Sequence, residues 1–444
     1  MKLLLCIASG FLAPLSAAFS QLSPVDYWRS VLSRPQGTIP GTDVAKVEWR
    51  TDFYAALEEA QKSGLPLLVT WRCLPCKQCA AFDKDVLDGG AKLTPLLKQF
   101  ITVRMTDAGQ LDERYFPYRE YQDLDLSWWG YFLSPEGKLY AVFGGKDHVS
   151  DTTRISVDAF ANSMKRVLAH HYDPRRPSWK NIDGPIPDPD KAKSKPGGID
   201  SFPAFKKDRP WMKKQTCIHC HQVNDILHFD AMEKKSFDLK SYTQAWPLPE
   251  NVGIHLDRDD GLLVSKVVDG SPAHKAGIRK GDRLGMADGR KLFGQADFRG
   301  ALHRAAYDAT TVQVAWIRKG AVTLGALKTG NNWKKGENAW RKSIYDGIYG
   351  PHLGFFPLHG PGRGKGSMSL RPFMGQGAKF KKNPWYPTGL RPGMEIVEVN
   401  GRKDDWDSRR FIAWFRLNHK PGDRVTLKTR DGKEFSRVLE KKKN

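Results

Sequence analysis

The apolar run Leu65-Pro66-Leu67-Leu68-Val69-Thr70 ends in Trp71-Arg72-Cys73-Leu74-Pro75-Cys76-Lys77-Gln78-Cys79. After it comes Ala80-Ala81-Phe82-Asp83-Lys84-Asp85-Val86-Leu87. The run has the length of a short buried strand, and the apolar spacing of three to four behind the cysteines suits a helix. Cys73 then stands at a strand-to-helix junction and Cys76 in the first helical turn. Unpaired N–H groups at a helix start favour an anion, so a thiolate there has a lowered pKa and is a better nucleophile. Pro75 suits an early helical position because it has no N–H to lose. A structural cysteine pair or a metal knuckle is the plain alternative. The strand–CxxC–helix context favours redox or soft-metal chemistry. Cys79 lies three residues beyond Cys76 on the same helix face; it can resolve a disulfide, act as a third soft-metal ligand, or pack.

Trp, one residue, then Cys-x-Pro-Cys after a central strand resembles the active site of thioredoxin-fold proteins. The resemblance implies that Cys73 attacks and Cys76 resolves. The surrounding pattern supplies a full unit over residues 45–173. Helices are expected at 53–63, 76–87 and 157–171, strands at 65–71 and 101–105, and a hairpin around Ser134-Pro135-Glu136-Gly137. Alternating strands and helices give an α/β/α sandwich. One family feature is missing. The cis-proline that faces the cysteine pair in thioredoxins has no counterpart in Asp125-Leu126-Ser127-Trp128-Trp129. Among relatives its loss accompanies metal binding or peroxide chemistry, so Cys73, Cys76 and Cys79 are also candidate copper(I) ligands.

Met1-Lys2 and the apolar run to about Ala18 read as a secretory signal cleaved before Gln21, too short for a membrane span. The expected location is periplasmic or extracellular. Cys6 leaves with the signal, and five cysteines remain in two clusters, too few for a disulfide framework. The charge is uneven. Residues 45–173 carry 16 Lys+Arg against 18 Asp+Glu, and residues 174–444 carry 52 against 29. In an exported protein without a groove-reading motif this points to anionic envelope polymers, lipid head groups or acidic partners rather than nucleic acid. A well-solvated basic surface is the plain alternative.

Residues 174–210, rich in Pro and Lys, read as a poorly ordered linker. Then Cys217-Ile218-His219-Cys220-His221 has the spacing of a c-type haem attachment, in which two thiols add to the vinyl groups and His221 reaches the iron. Half a zinc site is the alternative, but no second pair stands at finger spacing. Met212, His228 and Met232 are the nearest candidates for the second axial position.

From about Leu248 the run Val252-Gly253-Ile254, Gly270-Ser271-Pro272-Ala273, Ala276-Gly277-Ile278 and Gly281-Asp282 resembles a bacterial PDZ domain, with Asp288-Gly289 as a tight turn and 298–306 as the groove helix. Leu353-Gly354-Phe355, Gly389-Leu390, Asn400-Gly401 and a helix over 409–419 capped by Ser408 repeat the arrangement, broken by a Gly/Lys/Pro-rich insertion near 360–385. The family implies that the backbone of 252–254 and 353–355 holds a peptide's C-terminal carboxylate while the peptide adds a strand to the sheet edge. Domains used only for packing are the alternative, above all for the second unit.

The order of parts, with Trp333-Lys334-Lys335 and Trp340-Arg341-Lys342-Ser343 between the PDZ units, resembles an exported bacterial thioredoxin/PDZ (seleno)protein family. Some members carry selenocysteine in the active site; this chain has cysteine at all three positions. The expected organisation is signal 1–20, extension 21–44, thioredoxin-like domain 45–173, linker 174–210, CxxCH segment 211–247, PDZ domain 248–330, Trp-containing connector 331–350 and PDZ-like domain 351–444. The fold class is multidomain α/β and α+β. Two functions fit: a thiol–disulfide oxidoreductase coupled to haem c and PDZ peptide binding, or a non-enzymatic redox-sensing or copper-carrying PDZ scaffold.

Overall fold

The computed structural model describes residues 23–41, 46–72, 77–88, 90–126, 128–145, 156–179, 182–184, 187–188, 195–207, 218–345, 353–360, 368–374, 378–405 and 407–440. Cys6, Cys73, Cys76, Met212 and Cys217 lie outside these, so the readings placed on them do too.

A first helix, α1 (Pro24–Leu32), is capped by Ser23, whose hydroxyl accepts the Asp26 N–H. The first domain follows. Its strands are β1 (Trp49–Arg50), β2 (Leu67–Arg72), β3 (Ile101–Met105), β4 (Trp128–Leu133) and β5 (Leu139–Gly144), in sheet order β1-β3-β2-β4-β5. The first three are parallel; β4 runs antiparallel to β2, and β5 to β4. Helix α2 (Phe53–Ser63) starts on Asp52, which accepts two N–H groups, and stops at Gly64 with φ +72°. Helix α3 (Lys77–Phe82) follows the cysteine motif and continues as a wider π turn over Asp83–Asp88. Helix α4 (Val157–His171) closes the domain.

Alternation in the strands sorts side chains onto two faces. Leu67, Val69, Trp71, Trp129 and Tyr131 enter one core, and Leu68, Trp128 and Phe132 enter the other. The second core is closed by α4. The first is closed by α2 and by α5 (Cys220–Glu233), through Cys220, Val223, Ile226 and Phe229. Between β3 and β4 the described chain makes only the short turns Ala108–Gln110 and Tyr118–Tyr121, so a helix from beyond residue 218 covers that face. The segment 211–247 thus contributes a helix to the core of the domain expected over 45–173.

Part of the 174–210 linker packs against other segments. Trp179 and Ile182 are buried with Trp28, Val31 and Leu32 of α1 against Met286 and Ala315. His170 bonds Asp183 at 2.6 Å and stacks on Trp179. Apolar residues in a Pro/Lys-rich background find a groove between two domains.

The second unit holds β6 (Ile254–Leu256), β7 (Val264–Val267), β8 (Arg283–Ala287), β9 (Arg290–Lys291), β10 (Thr311–Arg318) and β11 (Ala321–Lys328), with helix α6 (Gln295–Arg304). Asp288 and Gly289, both at positive φ, make the expected turn between β8 and β9. The third unit is a five-stranded sheet of β12 (Phe356–His359), β13 (Leu370–Phe373), β14 (Ile396–Val399), β15 (Arg424–Thr429) and β16 (Glu434–Val438), with α7 (Ser408–Asn418). The cap of α7 is Asp407, accepting the Arg410 N–H, and not Ser408.

Candidate functional site

β2 is the centre of its sheet and ends at Arg72, next to Cys73. Trp71 pairs with Met105 of β3 and with Trp129 of β4, and Arg72 with Trp128. The end of β2 therefore lies between the end of β3 and the start of β4. Behind it, Asp83 on the continuation of α3 is buried and ion-paired with Arg72, with Arg104 Nε at 3.4 Å. Burial raises the Asp83 pKa, against the pull of Arg104 and Arg72. Cys79 lies on α3, four residues before Asp83.

The loop entering β4 is where a thioredoxin carries its proline. Here it holds two carboxylates that are fully buried. Asp123 accepts Arg341 Nη1 at 2.7 Å and Nη2 at 3.0 Å, and Arg299 Nη2 at 3.1 Å. Asp125 accepts Ser343 N at 2.8 Å, Ser343 Oγ at 2.7 Å and Asn224 Nδ2 at 3.0 Å. Burial opposes ionisation of Asp123 most strongly, yet Arg341 and Arg299 together hold it below the ordinary carboxylate range. Burial raises Asp125, with Arg341 the main offset. Arg299 comes from α6, Ser343 and Arg341 from the connector, and Asn224 from α5. One buried charge cluster thus ties the loop that enters β4 to three distant segments. Sequence reading missed it. Arg341 and Ser343 stood only in the connector motif, and Asp125 only as the missing proline.

The CxxCH segment is seated at the same end of the sheet. Ala108 N donates to Ile218 O at 2.9 Å, and Ile218 N to Asp107 Oδ1 at 2.7 Å. Asp107 follows β3 by two residues. Cys220 is 2% exposed, and the Gln122 amide reaches its sulfur at 3.8 Å. Tyr131 donates to Gln122 Oε1 at 2.6 Å, and burial raises that phenol well above 10.

The described half of this motif does not fit a covalent haem. Cys220 packs in the first-domain core. Two cavities border α5. One, of about 220 Å³, is lined by Gln122, Asp125, Asn224, His303 and Arg341; the other, of about 340 Å³, by His228, Met232, Phe237 and Arg416. Neither is lined by Cys220 or His221. The candidate second ligands on this helix fail by geometry. His228 is seven residues past His221 on one continuous helix, about 10 Å away along the axis. Met232 is farther still, and two axial ligands must meet one iron from opposite sides. His228 instead stacks on Phe237 at 4.9 Å, and burial lowers its pKa to about 3. Among the described residues no three His, Cys, Asp or Glu side chains converge as a metal site.

In the second unit Val252 and Ile254 are wholly buried, and Gly253 sits at φ +81° with Ser271 so close that a Cβ would meet it at 2.2 Å. The expected carboxylate loop is therefore a tight turn whose side chains face inward. Beside it, Asn251 Nδ2 donates to Trp333 O at 2.9 Å, and Lys334 Nζ to His303 O at 2.7 Å at the end of α6. A cation over the last carbonyls suits a helix C-terminus. At the other end, Asp297 accepts the Val142 N–H of edge strand β5 at 2.9 Å, together with Phe293 N and Gly294 N. Burial pushes Asp297 up to about 6. In the third unit Leu353 and Phe355 are buried, and Gly354 at φ +90° packs on Trp385.

Compared with known families, residues 48–124 match a thioredoxin-like model and residues 251–329 a PDZ domain model. The chain thus contains a thioredoxin-like domain, a fold that suggests thiol–disulfide chemistry, and a PDZ domain, a fold that suggests peptide or protein binding. No curated protein matches the chain.

Proposed function

We propose that the protein is an exported thiol–disulfide oxidoreductase whose PDZ domain delivers the partner. The observation that carries this is the position of the cysteine motif after the central strand of a thioredoxin-ordered sheet, with the PDZ helix α6 bonded to the edge of the same sheet. Cys73 thiolate attacks a partner disulfide, forming a mixed disulfide and releasing one partner thiolate. Cys76 then attacks Cys73 sulfur and releases the second, so the partner gains two electrons and the enzyme holds a disulfide. The same steps in reverse oxidise a dithiol. The test is turnover of a fluorescent disulfide peptide with a small dithiol as reductant. Cys73→Ser should abolish turnover, and Cys76→Ser should trap the mixed disulfide. Wild-type rates in Cys73→Ser, or copper(I) retention with no exchange, would favour the carrier reading instead.

Cys217 and Cys220 are read here as a second dithiol beside the first rather than as haem anchors. The support is Ile218 bonded to the chain just after β3, and Cys220 packed in the redox domain's own core. A host that matures c-type cytochromes should yield protein without haem stain. A stained band that vanishes in Cys217→Ala/Cys220→Ala would reverse this reading. For the PDZ domain, peptides with a free C-terminus should bind and their amidated forms should not. N-terminal sequencing of exported protein should begin at Gln21.

A further inference from the structure

The outer face of the β12–β13 ribbon carries what a solvent-facing sheet surface ordinarily lacks. Phe356 pairs across the strands with Phe373, and Leu358 with Arg371. Phe356 is 54% exposed, Leu358 45% and Phe373 55%, while the alternate residues Pro357 and Pro372 are buried. In a sheet with one face on the core the outward positions are normally polar. Directly opposed side chains on one face form a contiguous patch, and such patches mark interaction surfaces.

The charge around the patch says what it meets. Residues 347–394 contain Arg363, Lys365, Arg371, Lys379, Lys381, Lys382 and Arg391 and not one Asp or Glu. Arg371 lies inside the patch, and Lys381 and Lys382 are exposed. A second copy of the chain would bring the same positive charge to the contact and be repelled. A strand-adding peptide meets an edge from which Pro357 has removed a backbone donor. Aromatic and aliphatic side chains with Arg371 among them, on a stretch of chain without acidic residues, suit the boundary of an anionic bilayer, where the rings enter below the head groups and the cations stay with the phosphates.

We propose that this ribbon docks the protein on an anionic phospholipid surface, with Phe356, Leu358 and Phe373 inserted and Arg371, Lys381 and Lys382 at the head groups. The test is co-sedimentation of the mature full chain with phosphatidylcholine vesicles, with and without phosphatidylglycerol. Binding should need the anionic lipid, weaken with salt, and fall about tenfold or more in Phe356→Ser/Phe373→Ser. Arg371→Glu should weaken it on anionic vesicles. These residues are exposed, so both variants should melt like wild type and keep their disulfide-exchange rate. Three results would overturn the proposal: no vesicle binding by wild type, full binding by the double Phe variant, or a salt-resistant dimer that the double Phe variant abolishes.

Discussion

The second and third units each pack one longer helix on antiparallel strands, yet the two helices live in different surroundings. α6 is buried along nearly its whole length, Arg299 included. It sends Asp297 to the edge of the thioredoxin-like sheet and Arg299 to its buried Asp123. α7 buries only Phe411, Ile412, Ala413 and Phe415, and its charged residues face solvent or the connector. Both units have their own cores, but one also packs against the thioredoxin-like sheet, while the other offers an outer surface. Repeating a fold does not repeat its role, because the residues outside the core decide what each copy touches.

The largest expected effect tests the weld. Asp123→Ala leaves Arg341 and Arg299 buried with their main partner gone, and removing one partner of a buried pair costs roughly 3–5 kcal/mol. Chemical denaturation should show the loss, with the thioredoxin-like domain and the PDZ domain affected together. Asp404→Ala in the third unit, whose ion pair with Arg402 is exposed on both sides, should leave the transition almost in place.

Next is Asp297→Asn. Three N–H groups then face an amide with a single acceptor oxygen, a loss of about 1–3 kcal/mol. The pH dependence sharpens it. The Asp297 pKa is raised to about 6 in the folded chain, so its contribution is whole below the unfolded value of 3.8 and is lost as pH rises through 6. The difference amounts to about 3 kcal/mol. Melting curves across pH should show that fall in wild type and not in Asp297→Asn.

His303 works with the opposite sign. Burial lowers its pKa to about 3, so its contribution is present above the unfolded value of 6.5 and is lost as pH falls. His303→Gln should blunt the acid-side loss by about 2 kcal/mol at pH 5. The smallest expected effect is on stability in Phe356→Ser/Phe373→Ser, where unchanged melting would mark the ribbon as surface and a clear loss would make it core.

Much was legible in the chain itself. Helices α2 and α4 fall on the expected residues because caps and apolar spacing are local signals. The Asp288-Gly289 and Asn400-Gly401 turns did too, since positive φ at successive residues selects those types. The central strand and the motif's place behind it needed only periodicity and the cysteine spacing. The CxxCH spacing could not say which way a thiol points. Only packing showed that Cys220 faces a core, and that its helix covers a face the chain between β3 and β4 leaves open.

What the sequence determined alone was each unit's local plan, because hydrogen bonds and side-chain alternation within ten or fifteen residues fix strands, turns and helices. Tertiary structure alone decided which units merge. Asp123 and Arg341 stand 218 residues apart, and nothing local announces that two carboxylates and two guanidinium groups will be buried together. A buried charge is tolerable only when its partner is delivered to it, and delivery is a property of the folded chain.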